Sequence, residues 1–381
     1  MTIYFDNSAT TRPSPLVIQS VKDCLGDDMF GNPGSLHKLG VKADNAYRAA
    51  VSRTAELLGA AGNEIIFTSC ATESANTAVN GYMSRNRRSG RTVISTRTEH
   101  KATLECLAKL EQSGANVVYV SVGSDGKPDL AEIEKILGMG DCALMCFTLV
   151  NNETGSILPI DDIVAIKRRV SPGTAIYLDC VQALGKININ LHMTGVDMCS
   201  FSGHKIHSLK GVGVLYVRNG CRIDPYILGG GQQSGMRSGT QSLLLAESFK
   251  VALEEACDTM EQSYKTVSSI NLYLREELRK RGCRILSPDD ALPYVLNVAF
   301  DSFESETMLH SLEIYDIYVS TVSACSSKAK KVSYVLLECG VDRKTAANAV
   351  RLSFSRYNTL DEAEEFISRV DEIYSRFLVR H

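Results

Sequence analysis

Between residues 63 and 217 the chain alternates short apolar runs with segments of helical periodicity, and few architectures accept that pattern. "NEIIFTS" (63–69), "RTVIST" (91–96), "NVVYVSV" (116–122), "CALMCFTLV" (142–150) and "TAIYLD" (174–179) read as strands. "ESANTAVNGYMSRN" (73–86), "KATLECLAKLEQSG" (101–114) and "IDDIVAIKRRV" (160–170) read as the helices among them. "MCSFSG" and "GVGVLYV" then give two more strands around a polar turn. Strands of this kind, apolar throughout and alternating with helices, predict a largely parallel α/β sheet covered on both faces.

After residue 245 the pattern changes. Long amphipathic helices (243–282) lead to "YVLNVAF" (294–300), "DIYVST" (316–321) and a closing helix (360–379), an α+β module. With 381 residues, two domains are expected, and the boundary falls inside the helical stretch near 255.

A formal net charge of -3 and 22% charged residues suggest neither nucleic acid nor a polyanion as partner, which leaves small molecules. No basic and apolar leader opens the sequence and no run of about 18 apolar residues occurs, so a cytoplasmic protein without membrane contact is expected. The 12 cysteines include no CxxC pair and sit mostly in apolar runs, as buried reduced thiols do; neither a disulfide framework nor a metal site is expected.

Parallel sheets bind ligands at the carboxyl ends of their strands, so the residues just past each strand carry the information. "FTSCATES" puts Thr72 at the mouth of a helix, where free N–H groups and the dipole suit a phosphate; taken alone it is equally an ordinary cap. His100 follows the next strand, and a lone His there can be structural. Asn151 and Asn152 follow a wholly apolar strand and need polar partners. Asp179 ends an apolar strand, with Gln182 three residues on, and a half-buried carboxylate there requires a cation or several donors. Lys205, after Ser202, Gly203 and His204, lies between core strands, which suggests an amine of depressed pKa able to join an aldehyde, although a solvated turn would also hold a lysine. Together, a phosphate seat, a His to stack, an Asp and a Lys meet the needs of pyridoxal 5′-phosphate. A nucleotide site fits less well, since GxGxxG and GxxxxGK[ST] are both missing.

Ten stretches in order then carry a resemblance: "YFDNSATTRP", "FGNPGSLHKLG", "EIIFTSCATESAN", "TEHKATLE", "VNNETGSILPI", "YLDCVQALGKI", "SFSGHK", "GGGQQSGMRSGT", "VSACSS" and "VRLSFSRYNT". Over nearly its whole length the chain resembles the NifS/IscS-type cysteine desulfurases of the class V aminotransferase superfamily. The resemblance implies fold type I of the pyridoxal-phosphate-dependent transferases: a mostly parallel seven-stranded sheet in a large domain (14–255), and a small α+β domain (1–13 and 256–381) carrying a cysteine loop. It implies Lys205 as the Schiff-base lysine, Asp179 as partner of the pyridinium nitrogen, His100 stacked on the ring and moving protons, and Gln182 on the ring hydroxyl. Ala71, Thr72, Ser202 and His204 would hold the phosphate, with Thr240 reaching that of the other subunit in a homodimer. Asn152, at the cofactor, would join Arg351 in holding the substrate carboxylate.

Cys325 matches the nucleophile that takes sulfur from L-cysteine as a persulfide, leaving L-alanine. Lys328, Lys330 and Lys331 would favour its thiolate. The sulfur would pass to an acceptor protein such as an iron–sulfur scaffold or a tRNA-thiolation enzyme. A selenocysteine lyase or related lyase, and a sulfur-relay or regulatory homologue that has lost turnover, are the alternatives. The chain departs from the family's usual residues at Val322, where a stiffer or differently posed loop is expected, at Ser208 and Leu209, where an altered backbone is expected, and at Ser234, where a changed dimer edge or substrate mouth is expected.

Overall fold

The structure, a computed structural model, describes residues 2–26, 29–321 and 332–378. The chain runs β1 (Ile3–Tyr4), α1 (Pro15–Cys24), α2 (Lys38–Leu58), β2 (Ile65–Thr68), α3 (Ala71–Arg85), β3 (Thr92–Ser95), α4 (Lys101–Gln112), β4 (Asn116–Tyr119), α5 (Leu130–Leu137), β5 (Cys142–Thr148), α6 (Ile160–Val170), β6 (Ala175–Asp179), α7 (Leu191–Thr194), β7 (Met198–Ser202) and β8 (Gly213–Val217). It continues through α8 (Leu243–Asp258), α9 (Met260–Lys280), β9 (Arg284–Ile285), β10 (Val295–Ala299), α10 (Ser305–Glu313), β11 (Ile317–Tyr318), α11 (Tyr334–Glu338), α12 (Arg343–Ala347), β12 (Ala349–Ser353) and α13 (Leu360–Leu378). No helix among the described residues is long and apolar enough to cross a membrane.

Seven strands form one sheet in the order β2-β8-β7-β6-β5-β3-β4. Its neighbours from β4 to β7 are parallel, while β8 is antiparallel to both β7 and β2. The reason is length: the polar turn between β7 and β8 carries no crossover helix, so the chain can only come back beside itself. Side chains alternate along each strand, and both sets are covered. Ile66, Leu144, Tyr177 and Leu215 pack with Ala78 of α3 and Leu107 of α4. Ile65, Phe147, Leu178 and Val214 pack on the opposite side with Val164 of α6 and Phe249 of α8. Burial on both faces is why these strands read as continuous apolar runs.

The helical stretch after residue 243 breaks at Thr259, which closes α8 and opens α9 and turns its hydroxyl back to the Glu255 carbonyl at 2.7 Å. Beyond it, β12, β10 and β9 make an antiparallel sheet, and β11 pairs with β1 in parallel. The first residues of the chain therefore belong with the last strands: past β1, Asp6 bridges to Ser353 and the Ser8 N–H donates to Ser353 Oγ at 2.8 Å.

Candidate active site

The carboxyl ends of β2, β5, β6 and β7 open into one cavity of ≈ 260 Å³. Each strand delivers its polar residue there for a local reason. At β2, the chain turns through Cys70 into α3, whose N-cap makes no side-chain hydrogen bond, so the first-turn N–H groups beside Ala71 and Thr72 are left for a ligand. A strand must pass close beneath this turn. At Gly213 a Cβ would lie 2.6 Å from the Cys70 carbonyl carbon, which only glycine avoids.

His100 caps α4, its Nδ1 accepting from the Ala102 N–H at 3.1 Å. With Nδ1 occupied as an acceptor, the neutral ring carries its proton on Nε2. Asp179 ends β6 buried, one carboxylate oxygen accepting from the Val181 N–H at 3.0 Å. Burial pushes its carboxyl up, and any positive charge on His100, the Val181 N–H and the Lys205 charge pull it back. A cation at its side is what such a group needs.

Ser202 closes β7, and a single 3₁₀ turn then sets His204 and Lys205 at the cavity. Lys205 Nζ donates to the backbone carbonyls of Ser8 (2.5 Å) and Ala9 (2.6 Å) and makes no ion pair among the described residues. Burial, then the Arg351 charge, draws it down to about 8, so the neutral amine is far more accessible near neutrality than on an ordinary lysine. His204 is drawn to about 4 by burial and by Lys205; it acts as a neutral hydrogen-bonding group, 3.1 Å from Thr10 Oγ1.

Two further residues expected in the site line the same cavity. Asn152 follows β5. Gln182 donates to the Ser8 carbonyl at 3.0 Å and accepts from buried Lys186 at 2.9 Å. Arg351, on β12, is outside the lining: it is buried behind it, donating to Asp6 (2.9 Å) and to the Asn152 carbonyl (3.1 Å). Thr240 is exposed and away from the cavity. Cys325, Val322, Lys328, Lys330 and Lys331 lie outside the described residues.

Sequence reasoning missed Ser8 and Cys70, which line the cavity, and Lys186, which orients Gln182. Ser8 and Cys70 sit inside "YFDNSATTRP" and "FTSCATES", so the motifs marked the place without marking the side chain. Ser208 and Leu209 themselves have no left-handed backbone, but the residue before them does. His207 has φ +71, held by its N–H on Thr11 Oγ1 (2.8 Å) and its Nδ1–H on the Arg12 carbonyl (2.8 Å). Ser234 is likewise left-handed, at φ +56.

This donor set fits pyridoxal phosphate. An uncapped helix start faces the cavity with two hydroxyl residues and a neutral imidazole suited to a phosphate, a buried carboxyl is suited to the ring nitrogen, and an amine with no ion pair among the described residues is suited to the aldehyde.

Comparison with known proteins agrees. The family model described as Aminotransferase class-V matches residues 3–366. A "NifS/IcsS protein homolog" of Lactobacillus delbrueckii subsp. bulgaricus is 38% identical over 382 residues, 98% of each chain. A "Cysteine desulfurase" of a Nostoc species is 37% identical, spanning 98% of this chain and 93% of that one. Among solved structures, a "NIFS-LIKE PROTEIN" superposes with a TM-score of 0.93 at 37% identity, over 98% of this chain and 100% of its own. "SspA in complex with cysteine" does so at 0.81 and 29%, over 94% and 100%.

Proposed function

Because the chain belongs to the aminotransferase class-V family and is a cysteine desulfurase, we propose that its cavity holds pyridoxal 5′-phosphate and that sulfur leaves L-cysteine there for Cys325. The observation that carries this reading is Lys205: an amine drawn to about 8, bound among the described residues to two backbone carbonyls, in one cavity with the buried Asp179 carboxyl.

When bound, the cofactor supplies an aldehyde that exchanges between amines and a ring that withdraws electrons. Lys205 would hold the aldehyde carbon, for which its neutral form is suited. Asp179 keeps a proton on the ring nitrogen, since a carboxylate buried at that depth is stabilised by a cation beside it. Ala71 and Thr72 at the start of α3, with Ser202 and His204, hold the phosphate. His100 stacks on the ring and exchanges protons at Nε2, because Nδ1 is tied to the Ala102 N–H. Gln182, with its amide oriented by Lys186, meets the ring hydroxyl. Asn152 and Arg351 hold the substrate carboxylate; Arg351 keeps a buried Nε with no partner among the described residues, while Asp6 fixes its other end.

Cys325, carried by the small unit of 1–13 and 256–381, attacks the substrate sulfur as a thiolate, keeps the sulfur as a persulfide and releases L-alanine. Buried thiols are poor rivals: burial lifts Cys106, Cys142 and Cys339 to about 11. The persulfide then passes to a protein acceptor of the iron–sulfur scaffold or tRNA-thiolation kind, in the cytoplasm. A homodimer, with Thr240 turned to the other subunit's phosphate, accounts for the large apolar side chains Phe30, Leu36 and Leu228, each more than 70% exposed.

Mass spectrometry after incubation with L-cysteine tests the reading. The expected result is one added sulfur atom on Cys325 alone, with alanine formed in step. Unchanged alanine release from L-cysteine by Cys325→Ala would overturn the persulfide route and favour a lyase.

A further inference from the structure

Ser8 is fixed on its backbone, while its buried side-chain hydroxyl has no partner among the described residues. Its N–H donates to Ser353 Oγ at 2.8 Å, and its carbonyl accepts from both Lys205 Nζ (2.5 Å) and Gln182 Nε2 (3.0 Å). The residue is 4% exposed, yet its Oγ has no hydrogen-bond partner among the described residues, and Ser8 lines the cavity that holds Lys205 and Asn152. Buried hydroxyls are almost always satisfied, so one left unpartnered on a residue that lines a cavity points to a partner that enters the cavity.

What enters can be narrowed by position. The Lys205 nitrogen, which the substrate amine replaces, is within hydrogen-bond distance of Ser8 itself. In an α-amino acid the carboxylate is two bonds from that nitrogen. Ser8 is also tied to β12 at Ser353, two residues along from Arg351, whose charge is the strongest of those acting on Lys205. A carboxylate held between Arg351 and a nitrogen at Lys205 thus has Ser8 as a neighbour, and its hydroxyl is a neutral donor for either carboxylate oxygen.

We propose that Ser8 is a substrate-binding residue whose hydroxyl donates to the α-carboxylate of the amino-acid substrate, beside Arg351. The proposal rests on the desulfurase reading above and adds a specificity element to it: Ser8 separates amino acids from simple amines.

The test uses the holoenzyme and two ligands, L-cysteine and cysteamine, which share amine and thiol and differ in the carboxylate. In Ser8→Ala the KM for L-cysteine should rise about tenfold with kcat within about twofold, the pattern of lost uniform binding. Binding of L-alanine, read from the visible absorbance of the cofactor, should weaken by a similar factor without any turnover. Binding of cysteamine, read the same way, should not change. Ser8→Thr, which keeps the hydroxyl and every backbone contact, should restore most of the L-alanine affinity. Equal weakening of cysteamine and L-alanine, or no weakening of either in a folded Ser8→Ala, overturns the assignment. If instead the wild type shows neither cofactor absorbance nor an absorbance change with L-alanine, the desulfurase reading itself fails, a result distinct from either of those.

Discussion

The two ends of β7 treat a buried cation in opposite ways. At the N-terminal end Asp197 is buried and saturated: its carboxylate takes Lys167 Nζ at 2.8 Å, the Ile176 N–H at 2.9 Å and the Arg218 guanidinium. At the C-terminal end Lys205 has two carbonyls and no ion pair among the described residues. The first arrangement holds charge in place, and nothing about it is reactive. The second leaves an amine whose proton is loosely held, the condition for bonding to carbon. One strand therefore separates stability from chemistry by its ends, as parallel sheets generally do.

Three measurements sharpen or break this contrast. The largest effect is expected from Lys205→Ala, which should abolish alanine formation and cofactor capture while leaving the melting temperature of the apoprotein equal or higher, because an uncompensated amine has been removed. Next, Asp197→Ala strands Lys167 and Arg218 and should cost about 3–5 kcal/mol of stability by denaturant unfolding, with turnover per folded molecule kept. If the two variants lost stability alike, the distinction between the ends would collapse. The smallest effect is in pH: only neutral amine adds to an aldehyde, so the rate at which apoprotein captures pyridoxal phosphate should climb with pH through about 8 and level off above it. His204, drawn to about 4, adds no step to that profile in the neutral range. A profile flat from mild acid to pH 9 would show that Lys205 is not the titrating group.

Much of the site was legible because a parallel sheet brings strand ends together whatever their spacing in sequence. Thr72, His100, Asn152, Asp179, Gln182, Ser202, His204 and Lys205 each follow or end an apolar run, and one cavity collects them. What escaped was set by contacts without periodicity. Ser8 and Ser353 meet across 345 residues, and no pattern in either segment announces the other. The antiparallel return of β8 depended on the shortness of one turn, and the break at Thr259 on one residue in an otherwise unbroken helical pattern. Arg351 was placed with the substrate from the resemblance, and its burial against Asp6 is a tertiary fact that strand β12 alone does not contain.

The Ser8–Ser353 contact also has a consequence for how the protein matures. The carbonyl that steadies Lys205 is itself steadied by a strand near the other end of the polypeptide, so the binding wall closes only when the first and last parts of the chain have met. During synthesis the sheet from β2 to β8 can assemble early, but its amine has no anchored partner until β12 emerges and docks. A chain interrupted before β12 would therefore have the sheet without the anchored wall beside Lys205.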